Sequence, residues 1–228
     1  MILHLPFNNN LNDVGGNGLD GSADGGSYVN GVVGQAWSNN GNSRILVPYA
    51  TPLYPGDALT FACWINLSTT TFPSTAYHFG QYEAGKRQWA LTQPAGTGQP
   101  LQLYISNGIS ANIHSFGVAL ATGWTHVAIT ANNTARSWSL FVGGALAAGV
   151  TGSFSYANQG SHLTIGGNAS GNYSNGAFDD IRFENRILSA SEIMAIFNFG
   201  KGSEACEPWQ RLIRPTIRRT IHPLAGAA

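Results

Sequence analysis

Turn signals recur about every ten residues along this chain, and this spacing constrains the fold more than any other feature. Glycine supplies 29 of the 228 residues, whereas charged residues make up only 10%. Between the turns lie short segments that alternate apolar and polar side chains. This pattern favours an all-β sandwich of many short strands over alternating strands and helices.

The segment DALTFACWINL, residues 57–67, shows the alternation most clearly. Its apolar positions share one face of a strand and predict the core side: Leu59, Phe61, Cys63, Ile65 and Leu67. Cys63 is therefore interpreted as a buried small hydrophobe and not as a reactive thiol. Trp64 falls on the opposite face, where we expect its ring to meet solvent.

One helix is predicted near residue 190. Ser189 and Glu192 have the spacing of a capping box, and Gly200 suits the end of the helix. The apolar stripe between them consists of Ile193, Ile196 and Phe197. We expect this short helix to close one end of the sandwich.

The segment GAFDDIRFENRILSASEI, residues 176–193, breaks its own alternation. Ile181 and Phe183 share a face, so strict alternation would turn Asp179 inward and Phe178 outward. An ionised carboxylate on a core face is costly. Either partners such as a cation or backbone amides compensate Asp179, or a β-bulge at the Asp pair resets the register.

The same segment closely resembles the last strand of laminin-G-like, concanavalin-A-like jelly-roll domains. Further landmarks follow in the expected order across residues 2–198: LHLPFNNNLNDVGGNG, LTFACWINL, GWTHVAITANNTARSWSLFVGGALAA and HLTIGG. The resemblance implies an all-β, concanavalin-A-like jelly-roll sandwich over residues 1–200. One short C-terminal helix would end it, and residues 201–228 would form an extended tail.

The resemblance also implies a calcium site. In that family, carboxylates of this strand help to hold calcium together with oxygens of the N-terminal loops. Carried over to this sequence, the ligands would be Asp179, Asp180 and Asp13. The segment QAWSNNGNSRILVP has Asn where the family has Asp, which removes one negative charge from the site. The alternative is that the Asp pair only accepts hydrogen bonds from loop amides.

The sequence favours a protein without enzymatic activity. Glycosidases of this fold need two carboxylates that flank a cleft, and the glucanase pattern E-x-D-x-x-E is absent from the sequence. Asp179 and Asp180 are neighbours, so on a regular strand their side chains point to opposite faces. The six histidines form no H-x-H or H-E-x-x-H pattern. A relative of glycan hydrolases remains an alternative.

Aromatic residues beside Asn, Gln and His are typical of sugar-binding surfaces. They concentrate in STAYHFGQYEAGKRQW, residues 74–89, which we predict to form a recognition edge. The candidate ligand-binding residues are Trp64, Tyr77, His78, Tyr82 and Trp89. The alternative is that these rings pack a second layer or an oligomer interface.

Residues 201–228 differ in charge from the rest of the chain. They carry five basic residues against two acidic ones, whereas residues 1–200 carry six against nine. A nucleic-acid arm is one interpretation, but basic residues interleaved with large apolar ones fit better a peptide that docks on another protein. The predicted anchoring residues are Trp209, Leu212, Ile213, Arg214, Ile217, Arg218, Arg219 and Ile221.

This tail, with its PWQ segment followed by a Leu, a Pro and an Arg pair, resembles the ends of laminin-G-like proteins encoded by phages. The resemblance implies a virion structural or decoration protein that mediates adhesion to host-surface glycans. It would attach through residues 201–228 to capsid or tail proteins, or to sister copies in a symmetric homo-oligomer. We see no signal peptide and no membrane-spanning run, so we expect synthesis in the host cytoplasm. The alternative is a free, lectin-like carbohydrate-binding module.

Overall fold

The computed structural model describes residues 1–54, 56–83, 85–153 and 155–200. In chain order the strands are β1 (Leu3–Leu5), β2 (Ser22–Ala23), β3 (Ser27–Asn30), β4 (Gln35–Ser38), β5 (Ile45–Val47), β6 (Ala58–Leu67), β7 (Thr71–Phe72), β8 (Ala76–Glu83), β9 (Lys86–Gln93), β10 (Gly96–Thr97), β11 (Gln102–Ser106), β12 (Ala111–Ser115), β13 (Gly123–Asn132), β14 (Ser137–Val142), β15 (Ala145–Thr151), β16 (Leu163–Ile165) and β17 (Gly176–Glu184). A 3-10 turn spans Thr51–Leu53, and one α-helix, α1, spans Ala190–Gly200.

These strands form two stacked antiparallel sheets, as the all-β sandwich prediction requires. In the described residues the first sheet has eight strands in the order β15, β14, β13, β6, β17, β4 and β3, with β1 paired to β17. The second sheet has seven, in the order β12, β11, β9, β8, β16, β5 and β2. Strands β7 and β10 pair separately. Within these ranges no helix combines the length and hydropathy needed to cross a membrane.

The core lies between the two sheets, and β6 contributes the face that its alternation predicts: Leu59, Phe61, Cys63, Ile65 and Leu67 are all buried. Phe61 stacks on Phe79 of the second sheet with ring centroids 4.2 Å apart. Cys63 is fully buried in this cluster, which confirms its role as a small hydrophobe, and burial raises the pKa of its thiol well above the ordinary value.

A β-bulge at the Asp pair resolves the broken alternation of β17. Phe178 pairs with Ile65 and Phe183 with Phe61, and the register shifts between Asp179 and Arg182. Asp180 takes the left-handed conformation that the bulge requires, with φ of 49°. Phe178 is therefore buried in the core together with Phe183. The bulge alternative is confirmed, and the outward position that strict alternation gives Phe178 is wrong.

The helix α1 lies against the outer face of the first sheet. The capping box is confirmed, because Glu192 Oε2 accepts a hydrogen bond from the Ser189 backbone N–H at 2.8 Å and Ser189 Oγ accepts one from the Glu192 N–H at 3.3 Å. Apolar residues of the helix and of the segment before it pack on the sheet in one cluster: Leu188, Ile193 and Ile196 against Ala62, Ala128 and Phe141.

This helix also buries Trp64, so the expected exposure of that ring is wrong. Trp64 is only 3% exposed and stacks on Phe197 of α1 with ring centroids 5.5 Å apart. A side chain in place of Gly200 would collide with the indole. The alternation of β6 identified the face correctly, but it carried no information about the helix that covers that face.

His126 shares this covered layer. It pairs with Trp64 across β13 and β6, and its ring lies 5.3 Å from the Trp64 ring and 5.9 Å from Phe197. Neither ring nitrogen has a hydrogen-bond partner among the described residues. Burial lowers the pKa of His126 to about 4, although nearby Asp180 acts in the opposite direction.

We therefore expect His126→Leu to change how stability depends on pH. The folded protein keeps His126 neutral down to about pH 4, whereas the unfolded chain binds the proton near pH 6.5. The stability that this histidine contributes is thus present above pH 6.5 and is lost as the pH falls towards 4.

Urea unfolding at pH 7.5 and pH 5 measures this effect. When the pH is lowered from 7.5 to 5, the unfolding free energy of the wild-type protein should fall by on the order of 1–2 kcal/mol more than that of His126→Leu. A difference between the two proteins that stays constant with pH would show that His126 is not buried in the neutral form.

Candidate functional site

The three predicted calcium ligands lie in the N-terminal loop and at the bulge. Asp13 accepts hydrogen bonds from the backbone N–H groups of four residues: His4 at 2.9 Å, Gly15 at 2.7 Å, Asn17 at 3.2 Å and Leu19 at 3.1 Å. Burial raises the pKa of Asp13, but these four donors outweigh it and hold the pKa below its ordinary value. Asp13 thus organises the loop that follows β1.

The two bulge carboxylates have different partners. Asp179 Oδ2 accepts the backbone N–H groups of Val32 at 2.7 Å and Val33 at 2.8 Å, in the turn between β3 and β4. Burial raises the pKa of Asp179 to about 6. Asp180 lies 2.7 Å from His4 Nε2 and 3.1 Å from Arg182 Nε. Burial raises the pKa of Asp180, but these two partners outweigh it and lower the pKa.

This arrangement does not fit a calcium site. N–H and guanidinium donors already occupy the oxygens that a cation would need, and of the bulge carboxylates only Asp179 Oδ1 is buried without a partner. Within the described ranges, no group of three or more His, Cys, Asp or Glu side chains could hold a metal ion. The described geometry matches the alternative in which the Asp pair accepts hydrogen bonds from protein donors.

A group of tyrosines lies on the outer face of the second sheet. Tyr77 and Tyr82 of β8 and Tyr104 of β11 pack around Ala90 of β9. The Tyr77 and Tyr82 ring centroids are 4.6 Å apart, and those of Tyr82 and Tyr104 are 4.8 Å apart. Ala90 pairs with Gly80, where any Cβ would collide with Ala90. These small residues leave space for the rings, and we call this surface the tyrosine face.

The position of Tyr104 follows from the amphipathic pattern of β11. Leu103 and Ile105 are buried in the core, so Tyr104 between them projects from the opposite side of the sheet. Tyr82 and Tyr104 are each 8% exposed because the rings cover one another, whereas Tyr77 is half-buried. The rings therefore form a packed group whose upper surface borders the solvent.

A pocket of about 370 Å³ adjoins the tyrosine face. Its lining includes Arg87, Tyr104 and Ser106, together with residues 108–111 of the turn between β11 and β12. The Arg87 guanidinium lies over the Tyr82 ring, with Cζ 4.9 Å from the ring centroid. The pocket thus combines an aromatic wall, hydroxyl groups and one cation.

A larger cavity of about 790 Å³ lies between β1 and α1. Its charged groups are already paired within the protein. The N-terminal ammonium of Met1 lies 2.9 Å from Glu184, and Arg186 lies 2.7 Å from Glu192. The charged groups of this cavity therefore compensate each other, whereas Arg87 in the pocket beside the tyrosine face forms no ion pair with the described residues.

The structure brings together only part of the predicted recognition edge. Tyr77 and Tyr82 meet on the tyrosine face, whereas Trp64 lies beneath α1. His78 and Trp89 are fully buried. His78 Nδ1 lies 2.9 Å from Ser174 Oγ, and Trp89 Nε1 donates to Gln81 Oε1 at 2.9 Å. The surface position predicted for Trp64, His78 and Trp89 is therefore wrong.

Sequence reasoning missed Arg87 and Tyr104 as members of this site. The signal for Tyr104 was present, because it is the aromatic residue on the polar side of QLYIS, residues 102–106. No local signal places Arg87 over a tyrosine. The predicted anchoring residues Trp209, Leu212, Ile213, Arg214, Ile217, Arg218, Arg219 and Ile221 lie outside the described residues.

Several solved structures share this fold. Domain 4 of AbnA, an extracellular GH43 arabinanase from Geobacillus stearothermophilus in complex with arabinotriose, matches with a TM-score of 0.68 and 22% identity, over 86% of this chain and 97% of that one. The binding domain of Paraclostridial Mosquitocidal Protein 1 matches with a TM-score of 0.70 and 15% identity, over 87% of this chain and 52% of that one.

A botulinum neurotoxin type C structure, concerned with cell entry that depends on two ganglioside molecules, matches with a TM-score of 0.65 and 13% identity. It aligns over 87% of this chain, which spans about half of each toxin chain. At these identities the likeness establishes the fold alone. A search of curated protein sequences finds no match.

The family model described as the concanavalin A-like lectin/glucanases superfamily matches residues 39–194. That range covers more than half of the chain and contains β5–β17 as well as the bulge carboxylates. The protein therefore belongs to the concanavalin A-like lectin/glucanase superfamily, of the laminin-G-like type that its last strand predicted.

Proposed function

We propose that this protein is a glycan-binding module that recognises sugars at the tyrosine face. The observation that carries the proposal is the packed group of three tyrosines beside a pocket that also presents Arg87 and Ser106. Aromatic rings pack against the apolar faces of sugar rings, while hydroxyl and guanidinium groups hydrogen-bond to sugar hydroxyls.

The relatives support this proposal by analogy. The arabinanase domain is a complex with arabinotriose, and the neurotoxin structure concerns an interaction with gangliosides. Both ligands contain sugars, and both proteins share the fold of this chain. Because function depends on the residues of a site and not on the fold, the analogy needs the tyrosine face to give it chemical content.

We also propose that binding is not accompanied by glycan hydrolysis. Glycosidases place two carboxyl groups about 5–10 Å apart on either side of the scissile bond. Glu83 is the one acidic residue in the described strands of the second sheet, and it lies 3.6 Å from His162. The tyrosine face therefore offers a sugar-binding surface without the second carboxylate of a hydrolase.

A role on a phage particle is the second proposal. It rests on residues 201–228, whose excess of basic residues and PWQ segment set them apart from the sandwich. In this proposal the tail attaches the module to a capsid or tail protein, or to sister copies, and the sandwich is displayed for adhesion. Deletion of 201–228 should release the protein from particles without changing glycan binding, which sedimentation of particles followed by mass spectrometry measures.

Replacement of Tyr77 or Tyr104 by Ala should weaken glycan binding about tenfold each, because each ring contributes about 1–2 kcal/mol of stacking. A glycan array identifies a ligand, and calorimetry then compares the variants. Tyr49→Ala is the matched control, since Tyr49 is exposed and lies beyond the end of β5. Thermal melting verifies the fold of each variant. Absence of any bound glycan on the array would refute the proposed function.

The carboxylate geometry makes a separate prediction about calcium. Because protein groups already contact three of the four bulge carboxylate oxygens, we expect the same melting temperature in EDTA and in millimolar CaCl₂. A ligand that binds only the folded state raises that temperature. A calcium-dependent rise that Asp179→Asn abolishes would instead restore the calcium site implied by the family resemblance.

A further inference from the structure

Arg87 differs from the other arginines that the structure describes. Arg44, Arg182 and Arg186 each pair with a carboxylate, and Arg136 donates to the Ser153 carbonyl at 2.9 Å. In the described residues Arg87 forms no ion pair, and its side chain is exposed. Its charge is therefore available to a partner outside the sandwich.

The Tyr82 ring holds this guanidinium in position. Arg87 pairs with Tyr82 across β9 and β8, and Cζ lies 4.9 Å from the Tyr82 ring centroid. Tyr104 lines the same pocket as Arg87. Stacking on a ring face restricts a guanidinium but leaves the N–H groups along its edge directed outward. Less side-chain entropy is then lost when a ligand binds.

Among the described residues, Arg87 is the one charged residue that lines this pocket, in a sandwich with more acidic than basic residues. Residues 1–200 carry six basic and nine acidic residues. Lys86 and Arg87 are adjacent and exposed. Glu83, the acid nearest to them in the sheet register, lies opposite Lys86 on β8, and its side chain is 3.6 Å from His162. Because the sandwich has an excess of acidic residues, its net charge does not attract anions. Any attraction of an anion to this pocket therefore comes from the local charge of Arg87.

An apolar rim borders the same pocket. Ile109, in the turn between β11 and β12, is 94% exposed, and Ile113, which pairs with Tyr104, is 59% exposed. One ligand can therefore meet a cation and an apolar surface at once. A sugar ring that carries a carboxylate has both complementary features, namely an apolar C–H face and an anionic group.

We propose that the tyrosine face selects acidic glycans, in which a sugar carboxylate accepts two hydrogen bonds from the Arg87 guanidinium. This inference rests on the proposed glycan-binding function and names the substrate class of that site. The planar fork of Arg matches a carboxylate in a way that the single ammonium of Lys cannot. The sugar ring itself then packs towards Tyr104 and Ile113.

The test compares acidic polysaccharides with matched neutral forms. Polygalacturonate, alginate and polysialic acid are each titrated beside the same polymer with its carboxyl groups methyl-esterified or reduced. The wild-type protein should bind at least one acidic form tenfold more tightly than its neutral counterpart. Arg87→Gln and Arg87→Lys should both remove this preference, whereas Lys86→Gln, the adjacent exposed cation, should retain it.

The possible outcomes separate the two proposals. Equal binding of acidic and neutral forms, or a preference that survives in Arg87→Gln, overturns the acidic-glycan inference but leaves the proposed function intact. Binding of dextran sulfate as tight as that of the carboxylate polymers, retained in Arg87→Lys, would indicate nonspecific charge attraction and also overturn it. Failure of every polymer and of the array to bind refutes the proposed function itself. Because Arg87 is exposed, its variants should melt at the wild-type temperature.

Discussion

The sandwich depends on the bulge in β17, where two adjacent carboxylates are buried and protein groups contact three of their four oxygens. An unpartnered ionised carboxylate in this position would cost several kcal/mol. Asp180 instead lies between His4 and Arg182, and Asp179 accepts two backbone N–H groups of the turn between β3 and β4. The bulge thereby connects β1, the turn after β3 and the central strand β17. These segments are distant in sequence, so the contacts of the two carboxylates hold β1 and the turn between β3 and β4 against β17.

The bulge also determines which rings enter the core. With one extra residue in β17, both Phe178 and Phe183 face the second sheet. Phe183 lies 6.0 Å from Phe61, and Phe61 stacks on Phe79 of β8. This column of rings supports β8 from the inside, while Tyr82 projects from the outside of the same strand. The tyrosine face is consequently built on strands whose positions the core fixes, which favours a preorganised site.

The sequence allowed the local elements to be predicted, but not the contacts between them. The core face of β6 and the capping box of α1 follow from patterns within one segment, whereas the broken alternation at the Asp pair left a bulge and a compensated carboxylate open as alternatives. The burial of Trp64 does not follow from such a pattern, because it depends on where α1 lies across the sheet. His78 and Trp89 were misplaced because the grouping of aromatic residues in 74–89 selected them without assigning their faces. The register between β8 and β9 shifts twice, beside Tyr77 and beside Gln81, so simple alternation along the chain does not supply those faces either.

The tyrosine face illustrates the same limit and also separates fold from specificity. Tyr82 and Tyr104 lie on strands that are joined only through β9, so their contact is a property of the sheet order. Their rings are nearly buried on each other and contribute to stability as well as to the surface. Arg87, Ile109 and Ile113 are exposed, so replacing them costs the fold little. Solved structures with only 13–22% identity to this chain share its sandwich. Selectivity in this chain is therefore expected to reside in the residues on which the fold depends least.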